Sequence, residues 1–395
     1  DNSFKYYQSK FCVRLRAIIK TYHQKALKQS EISKSKIFYK VHTYLSLLFF
    51  IPLAVVCFSG AILVYKDELN SLLAPNVVNV NLNKENLSKR ISFDEQREII
   101  ASELDGYEMV GINIDANPKK RDKIWLIEHN DSQKEWKFIY FDAFSGKIKS
   151  EPLAHDEGFF GVLTELHESL FLEKSGHIIL TLTAIFTFFI CISGFVIYRK
   201  FWLTLLRLRV NRLNIFMSDI HKMIGIFSTP ILLLICISGV WWEFQMARMP
   251  EFKNDFVIDA KIYNKSLSLD ELVARSKNDL AGFEPHFISL PFMQGANIRL
   301  FGYVKDQNFL HNEYSSILTY DKNSGELVSI LDIKNTNLSE EILSAFRKSH
   351  FGNYNQITKF IWFLVGISPL ILSISGLYLW IKRNFKRRKN EKIFN

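Results

Sequence analysis

The sequence predicts a membrane protein: an all-α bundle of four transmembrane helices, built by duplicating a two-helix unit, with two α+β domains outside the membrane. Three observations carry this reading. Four uncharged apolar windows lie at 43–65, 178–198, 223–242 and 360–381 of 395 residues. Each is long enough to cross a hydrocarbon core of about 30 Å at roughly 1.5 Å per residue. Basic residues collect in three of the segments between and beyond these windows, and the features of the first half recur in the second.

The elements follow in chain order. Residues 1–41 are a basic segment with ten Lys and Arg. They place the first window about 40 residues in, too far for the apolar region of a signal peptide. The chain begins at Asp1 rather than Met, so further N-terminal residues are expected. A first helix is expected over 42–65 and a first external domain over 66–166. That domain opens with "ISFDEQREIIASEL", where Ser92 stands three residues before Glu95 as a helix N-cap. It continues through "DKIWLIEH" and "KEWKFIYFDAFSGKIKSEP", which alternate as strands, with Gly146 in the turn. A second helix with its outer lead-in occupies 167–198, a cytoplasmic loop 199–222, and a third helix 223–244. The second external domain, 245–349, repeats the order: "LSLDELVARSKNDL", "NIRLFGYV" and "YSSILTYDKNSGELVSI", with Gly325 in the turn. A fourth helix with its lead-in spans 350–381, and a basic tail 382–395.

Charge sets the orientation. Segments 1–41, 199–222 and 382–395 hold 10, 6 and 7 Lys and Arg with four acids among them, a net +19. The remaining chain has 50 − 23 = 27 cations against 40 − 4 = 36 acids, a net −9. Cations near membrane helices stay on the cytoplasmic side, so both termini are expected inside and both large domains outside. The overall +10 is therefore a topology signal, and no nucleic-acid partner is implied. Cys57, Cys191 and Cys236 fall inside the windows and Cys12 in the basic segment, so the external domains have no disulfide framework.

The halves correspond by position. The offset from Gly60 to Gly239 equals that from His42 to His221. The offsets from Gly194 to Gly376 and from His167 to His350 are longer by only three and four positions. Such a shared offset marks internal duplication. His42 and His221 sit at the inner ends of two parallel helices, each about five turns before the glycine of a Ser-Gly, so His and Gly share a helix face. Two facing imidazoles at one depth fit the axial ligands of a b-type haem held between helices. His167 and His350 form the corresponding outer pair. Their spacings to Gly194 and Gly376 are not whole numbers of helical turns, so a break near Gly176 and Gly352 is expected. His177 at the mouth of the second helix is the alternative ligand to His167. Two haems are expected. Gly60 and Gly239 would leave room for the outer macrocycle, and Gly194 and Gly376 for the inner one. Lys40, Arg199, Lys222 and Lys382 are available to inner propionates.

Other site chemistries do not fit. "HESLF" at 167–171 ends in Phe171 where a zincin motif needs His. Two His without carboxylate or thiolate neighbours under-ligate zinc. No P-loop, Ser-centred elbow or Gly-rich dinucleotide loop occurs, so an electron donor must be another molecule.

"YKVHTYLSLLFFIPLAVVCFSGAILVY", "LHESLFLEKSGHII…ISGFVIYR", "IHKMIGIFSTPILLLICISGVWW" and "SHFGNYNQITKFIWFLVGI…ISGLYLWIKR" resemble the four helix motifs of the PepSY-associated transmembrane family. The external domains are similar to PepSY modules, with "FDAFSGKI" and "YDKNSGEL" at the family's Asp-x-x-(Ser/Thr)-Gly turn. The resemblance covers 36–390. It implies an iron-regulated bacterial inner-membrane protein, some members being haem-containing ferric-siderophore reductases, and His42, His167, His221 and His350 match the family's histidines. Thr43 stands where the first motif usually has Arg, and Lys40 could replace that cation. The function expected is a di-haem b electron relay that takes electrons from a cytoplasmic or membrane donor and reduces a ferric siderophore or other ferric chelate in the periplasm. The alternatives are a non-enzymatic PepSY membrane protein that binds or regulates a periplasmic partner, and a siderophore or metal transport component. Pro52, Pro230 and Pro369 could serve the transport reading, but the windows lack the mid-depth charges that transport pathways show.

Overall fold

The computed structural model describes residues 36–80, 90–114, 119–129, 135–154, 157–198, 205–254, 256 and 262–394. Four helices are long and apolar enough to cross a membrane: α1 (Lys36–Leu63), α6 (Glu173–Ile197), the first 35 residues of α7 (Leu213–Asn254), and the first 31 of α10 (Gln356–Phe394). Such helices satisfy every backbone polar group internally, which hydrocarbon requires. Among the described residues, those within Asp1–Ala54, Leu182–Cys236 and Ser368–Asn395 form one compact unit. Those within Val55–Thr181 and Ile237–Ile367 form a second.

The first unit is helical. Phe49 of α1 stacks on Phe186 of α6, ring centroids 4.8 Å apart. The Ser373 hydroxyl of α10 donates to the Phe50 carbonyl at 3.4 Å. Ahead of α7, Arg209 grips Asp219 through both carboxylate oxygens, at 2.8 and 2.9 Å.

The second unit combines helices with a nine-stranded antiparallel sheet. After α1 come α2 (Lys66–Leu73), α3 (Pro75–Val78) and α4 (Phe93–Glu103). The strands β1 (Tyr107–Asn113), β2 (Asp122–Glu128), β3 (Trp136–Asp142), β4 (Lys147–Ile148) and β5 (Leu153–Ala154) lead to α5 (Gly158–Ser169). Beyond α7, α8 (Leu269–Asp279) precedes β6 (Phe283–Ser289), β7 (Ile298–Val304), β8 (Ser316–Tyr320) and β9 (Leu327–Leu331), and then α9 (Leu338–Phe351). The order is β4-β3-β2-β1-β6-β7-β8-β9, with β5 also on β3. The two α+β segments, expected as separate external domains, therefore do not make two separate sheets. Their first strands pair through Gly111 with Ser289, Ile112 with Ile288 and Asn113 with Phe287. Each half would otherwise leave the β1 or β6 edge unpaired, and joining them removes two open edges.

The duplication is visible in detail. Asp142 accepts from the N–H groups of Phe144 and Ser145, and Asp321 from those of Asn323 and Ser324. These Asx turns bring Gly146 and Gly325 to φ of +66° and +71°, which glycine adopts without a Cβ clash. Ser92 and Ser268 cap α4 and α8 by accepting from Glu95 and Glu271 N–H, both at 3.1 Å. The caps are also crossed. Asp270 accepts from Phe93 and Asp94 N–H, and Asp94 from Leu269 N–H and the Ser268 hydroxyl. Each helix start is thus satisfied by an acid from the other repeat. Behind these helices a single core runs under the sheet, with Ile112, Ile124, Ile139, Ile288, Leu300 and Leu318 fully buried.

The crossed caps yield a stability prediction. Burial opposes ionisation of Asp94, but the bonds from Ser268 and Leu269 N–H and the Arg97 charge prevail and hold its carboxyl below the usual range. A carboxyl lowered on folding stabilises above its unfolded pKa, about 3.9, and that contribution fades as pH falls through the folded value. Asp94→Ala is expected to cost about 1–2 kcal/mol, read as a lower melting midpoint of the sheet by circular dichroism. Asp94→Asn should narrow its gap to wild type as pH is taken below about 4.

Candidate functional site: two histidine pairs

The first unit brings His42 and His221 together, with ring centroids 6.3 Å apart. His42 Nδ1 lies 3.1 Å from the Ile190 carbonyl and 3.2 Å from the Ser193 hydroxyl of α6. A carbonyl only accepts, so the imidazole donates from Nδ1 and keeps its lone pair on Nε2. His221 Nδ1 lies 2.9 Å from the Ser375 hydroxyl, whose own proton goes to the Ile371 carbonyl at 2.8 Å. Nδ1 is again the donor.

The second unit repeats this with His167 and His350, ring centroids again 6.3 Å apart. His167 Nδ1 lies 2.8 Å from the Val56 carbonyl and 3.3 Å from the Ser59 hydroxyl, which itself donates to the Val55 and Val56 carbonyls. His350 Nδ1 lies 3.0 Å from the Ser238 hydroxyl. Burial holds the His167 imidazole below its ordinary range, against the pull of the Val56 carbonyl and the Glu168 charge, so its neutral, ligating form is favoured. The four serines are at most 1% exposed, so each bond is made away from competing water.

Helix breaks aim the second pair. Helix α5 ends at Ser169, with Leu170 and Phe171 in the left-handed region at φ of 54° and 59°. Gly176, inside α6, then packs on that end, where a Cβ would run into the Ser169 carbonyl. Helix α9 ends at Gly352, φ +65°, where a Cβ would strike the Trp362 ring. Both histidines therefore sit on short helices whose phase is independent of the spans that follow. That independence explains why their spacings to Gly194 and Gly376 do not return to one face.

The separation leaves room for a group held by both imidazoles of a pair, which would take His42 and His221 in one unit and His167 and His350 in the other. An ordinary ring pair also falls within about 4.5–7 Å. Both pairs share one distance and one device, an Nδ1 hydrogen bond to a buried serine, of the kind that outer partners of metal-bound His make. Among the described residues no three His, Cys, Asp or Glu side chains gather into a metal-ion group; these four histidines stand in twos.

The family described as PepSY-associated TM region matches residues 39–383. The chain belongs to that family. It is a multi-pass membrane protein with four apolar helices and a separate antiparallel sheet. It is also similar to a Pseudomonas aeruginosa protein, Uncharacterized protein PA4219, at 24% identity over 255 residues, 56% of this chain and 63% of that one. The match thus spans less than two thirds of the length of that relative.

The other residues of the expected site have neighbours of their own. His177 does not join His350; its Nδ1 lies 2.8 Å from a Glu243 carboxylate oxygen. The glycines do face the expected pairs, but the space they leave is filled by imidazole. A Cβ on Gly60 would lie 2.6 Å from His167 Cε1, on Gly194 3.2 Å from His42, on Gly376 3.2 Å from His221, and on Gly239 3.6 Å from His350. Each Ser-Gly is thus a seat for one histidine of another helix. Lys40 is exposed and makes no contact that ties it to His42. Lys222 lies 5.5 Å over the Tyr198 ring, Lys382 is exposed, and Arg199 falls outside the described residues. The four serines were missed as functional groups. Their signal was present, since Ser precedes Gly in all four helices.

Proposed function

We propose that this protein is a bacterial inner-membrane oxidoreductase with two b-type haems. It carries electrons from a cytoplasmic or membrane donor to a ferric siderophore or related ferric chelate on the periplasmic side. The observation that carries this reading is the pair of 6.3 Å His–His separations, each with Nδ1 committed to a buried serine. His42 and His221 would hold one haem and His167 and His350 the other. A haem held by two imidazoles supplies low-spin one-electron chemistry. The protein's own part is to hold four neutral imidazoles in one tautomer, to raise their basicity through the Nδ1 bonds, and to seat each ring on a glycine. Reduction of the substrate takes one electron, Fe(III) to Fe(II), and neither makes nor breaks a bond within the chelating ligand. Hard oxygen donors hold Fe(II) more weakly, so iron is released. The basic segments 1–41, 199–222 and 382–395 support a cytoplasmic position for both termini.

The test is a visible spectrum of the purified protein in detergent, oxidised and dithionite-reduced, with haem supplied during expression. A low-spin Soret band, a sharp reduced α band and two haem b per chain are expected, and a ferric chelate should reoxidise the reduced protein. A protein without these bands would leave the partner-binding reading of the sheet domain in its place.

A further inference from the structure

In the second unit, cations that lie against the sheet or its flanking helices are generally matched by carboxylates: Arg121 by Asp142, Lys265 by Glu108, Lys137 by Glu128, Lys359 by Glu68. Lys66 and Lys123 are different. Lys123 projects from β2 beside Trp125, on the face opposite the buried Ile124 and Leu126. Its ammonium lies 3.6 Å from the Phe138 ring centre and 4.4 Å from that of Trp125, and it has no hydrogen-bond acceptor among the described residues. The β2–β3 register sets Tyr140 opposite Lys123 and Phe138 opposite Trp125, so these four side chains share one face. Lys66, at the start of α2, donates to the Thr164 hydroxyl at 3.2 Å, and that hydroxyl is itself committed to the Phe160 carbonyl. Thr164 lies on α5 one turn before His167. Asn70 of α2 reaches the Tyr140 hydroxyl at 3.3 Å, which ties α2 to the same patch.

We propose that Lys66, Lys123 and the rings of Trp125, Phe138 and Tyr140 form a binding site for a multiply charged oxyanion carried on planar aromatic rings, a catecholate-type ferric chelate. The identification as substrate site rests on the reductase reading; the binding itself does not. Lys66 and Lys123 sense one another's charge, with Asp67 acting on both and Glu168 on Lys66; neither has a bonded carboxylate among the described residues, and charge-assisted bonds from an ammonium to an oxyanion are the strong ones. Lys123 lies against the Phe138 and Trp125 rings, so a ligand that takes its ammonium also meets aromatic surface. The electrostatics agree. Burial and the Lys66 charge, opposed by Asp67, draw the Lys123 ammonium down to about 7. Burial also lowers Lys66 against the pull of Glu168 and Asp67. Tyr140 is raised to about 12 by burial and Asp67, so its hydroxyl keeps its proton and remains a donor. A bound oxyanion relieves the repulsion between the two lysines. Lys66 follows the end of α1 by three residues, so a phospholipid phosphate is the other source of the same chemistry.

Calorimetric titration of the full chain in detergent decides between them. A trianionic ferric tris-catecholate is expected to bind at least about tenfold more tightly than a neutral ferric tris-hydroxamate. Lys66→Gln and Lys123→Gln should each weaken the first by about tenfold and leave the second unchanged, whereas Lys123→Arg should retain most of the affinity. Equal binding of the two chelates by the unaltered protein overturns the proposal without any variant. So does tris-catecholate affinity that survives both glutamine substitutions. Titrations repeated with phosphatidylglycerol in the micelles provide the lipid arm. Loss of chelate binding to that lipid, with lipid binding itself abolished by Lys123→Gln, reassigns the site to lipid and overturns it too. The visible spectrum of each sample reports haem separately, so a haem-free protein that still binds the tris-catecholate would refute the reductase reading and keep this site.

Discussion

Replacing His350 with alanine is expected to remove one of two haem equivalents from the purified protein, and replacing His42 should remove the other. On the two-haem proposal each haem would be held by two imidazoles, and deleting one would leave it with a single protein ligand. Among the described residues His177 is the further histidine placed by α6, and its Nδ1 is committed to Glu243 at 2.8 Å. His42 and His350 belong to different compact units, so the two losses should be independent and the double variant haem-free. Pyridine haemochrome assays give the content, about half of wild type for each single variant. The reduced spectrum of each should retain the sharp α band of the remaining site. His177→Ala should leave haem content at two. Undiminished content in both His42→Ala and His350→Ala would show that these pairs do not hold haem. Folding controls are straightforward, since neither side chain contributes to the sheet core formed by Ile112, Ile124 and Leu300.

The pairing of these histidines was legible in the sequence because duplication fixes it: residues that match by one shared offset occupy equivalent places in equivalent repeats. The four spans were legible for a simpler reason, since uncharged windows long enough to cross a bilayer have few other uses. The strand–turn–strand phrases carried their own chemistry in Asp142 and Asp321, whose carboxylates build the turns. That His167 rather than His177 lies beside His350 was not legible, because it turns on a helix break at Leu170 and Phe171. Neither residue type announces a left-handed backbone, and the signal at Gly176 marks the packing that follows the break. The joining of two α+β segments into one sheet was equally hidden. The β1–β6 pairing is a contact between Ile112 and Ile288, far apart in sequence, and strand alternation specifies faces but not neighbours. The glycines were placed correctly at the histidine pairs, and their nearest neighbours there were not legible. A missing side chain in the sequence says that something approaches closely, and only the folded chain shows that the visitor is an imidazole. Lys40 illustrates the converse: a cation near a histidine in sequence points elsewhere on the helix, since residues two apart do not share a face.

The close approach of glycine to imidazole has a graded consequence that a flexible packing role would not. Gly60→Ala would place a methyl 2.6 Å from Cε1 and 3.1 Å from Nδ1 of His167. The ring cannot retreat cheaply, because Nδ1 is bound to the Val56 carbonyl and the Ser59 hydroxyl on the same helix as the new methyl. Moving the ring away breaks those bonds together, and loss of such outer partners typically lowers metal affinity about 10–100-fold. If the proposed pairs hold haem, Gly60→Ala is therefore expected to lose most of that assigned to His167 and His350 while leaving that assigned to His42 and His221. Gly239→Ala, 3.6 Å from His350 Cε1, makes an ordinary contact and should bind two haems. Gly194→Ala and Gly376→Ala, both at 3.2 Å, require shifts of a few tenths of an ångström and should fall between. The backbone works in the opposite direction, since alanine favours a helix over glycine by about 1 kcal/mol. That gain offsets only part of the cost of breaking the buried Nδ1 bonds, about 1–3 kcal/mol, so the haem-free Gly60→Ala protein should melt slightly below haem-free wild type. Haem loss far out of proportion to that small destabilisation locates the effect at the imidazole seat. Equal haem retention by Gly60→Ala and Gly239→Ala would instead mean that His167 is not anchored on α1.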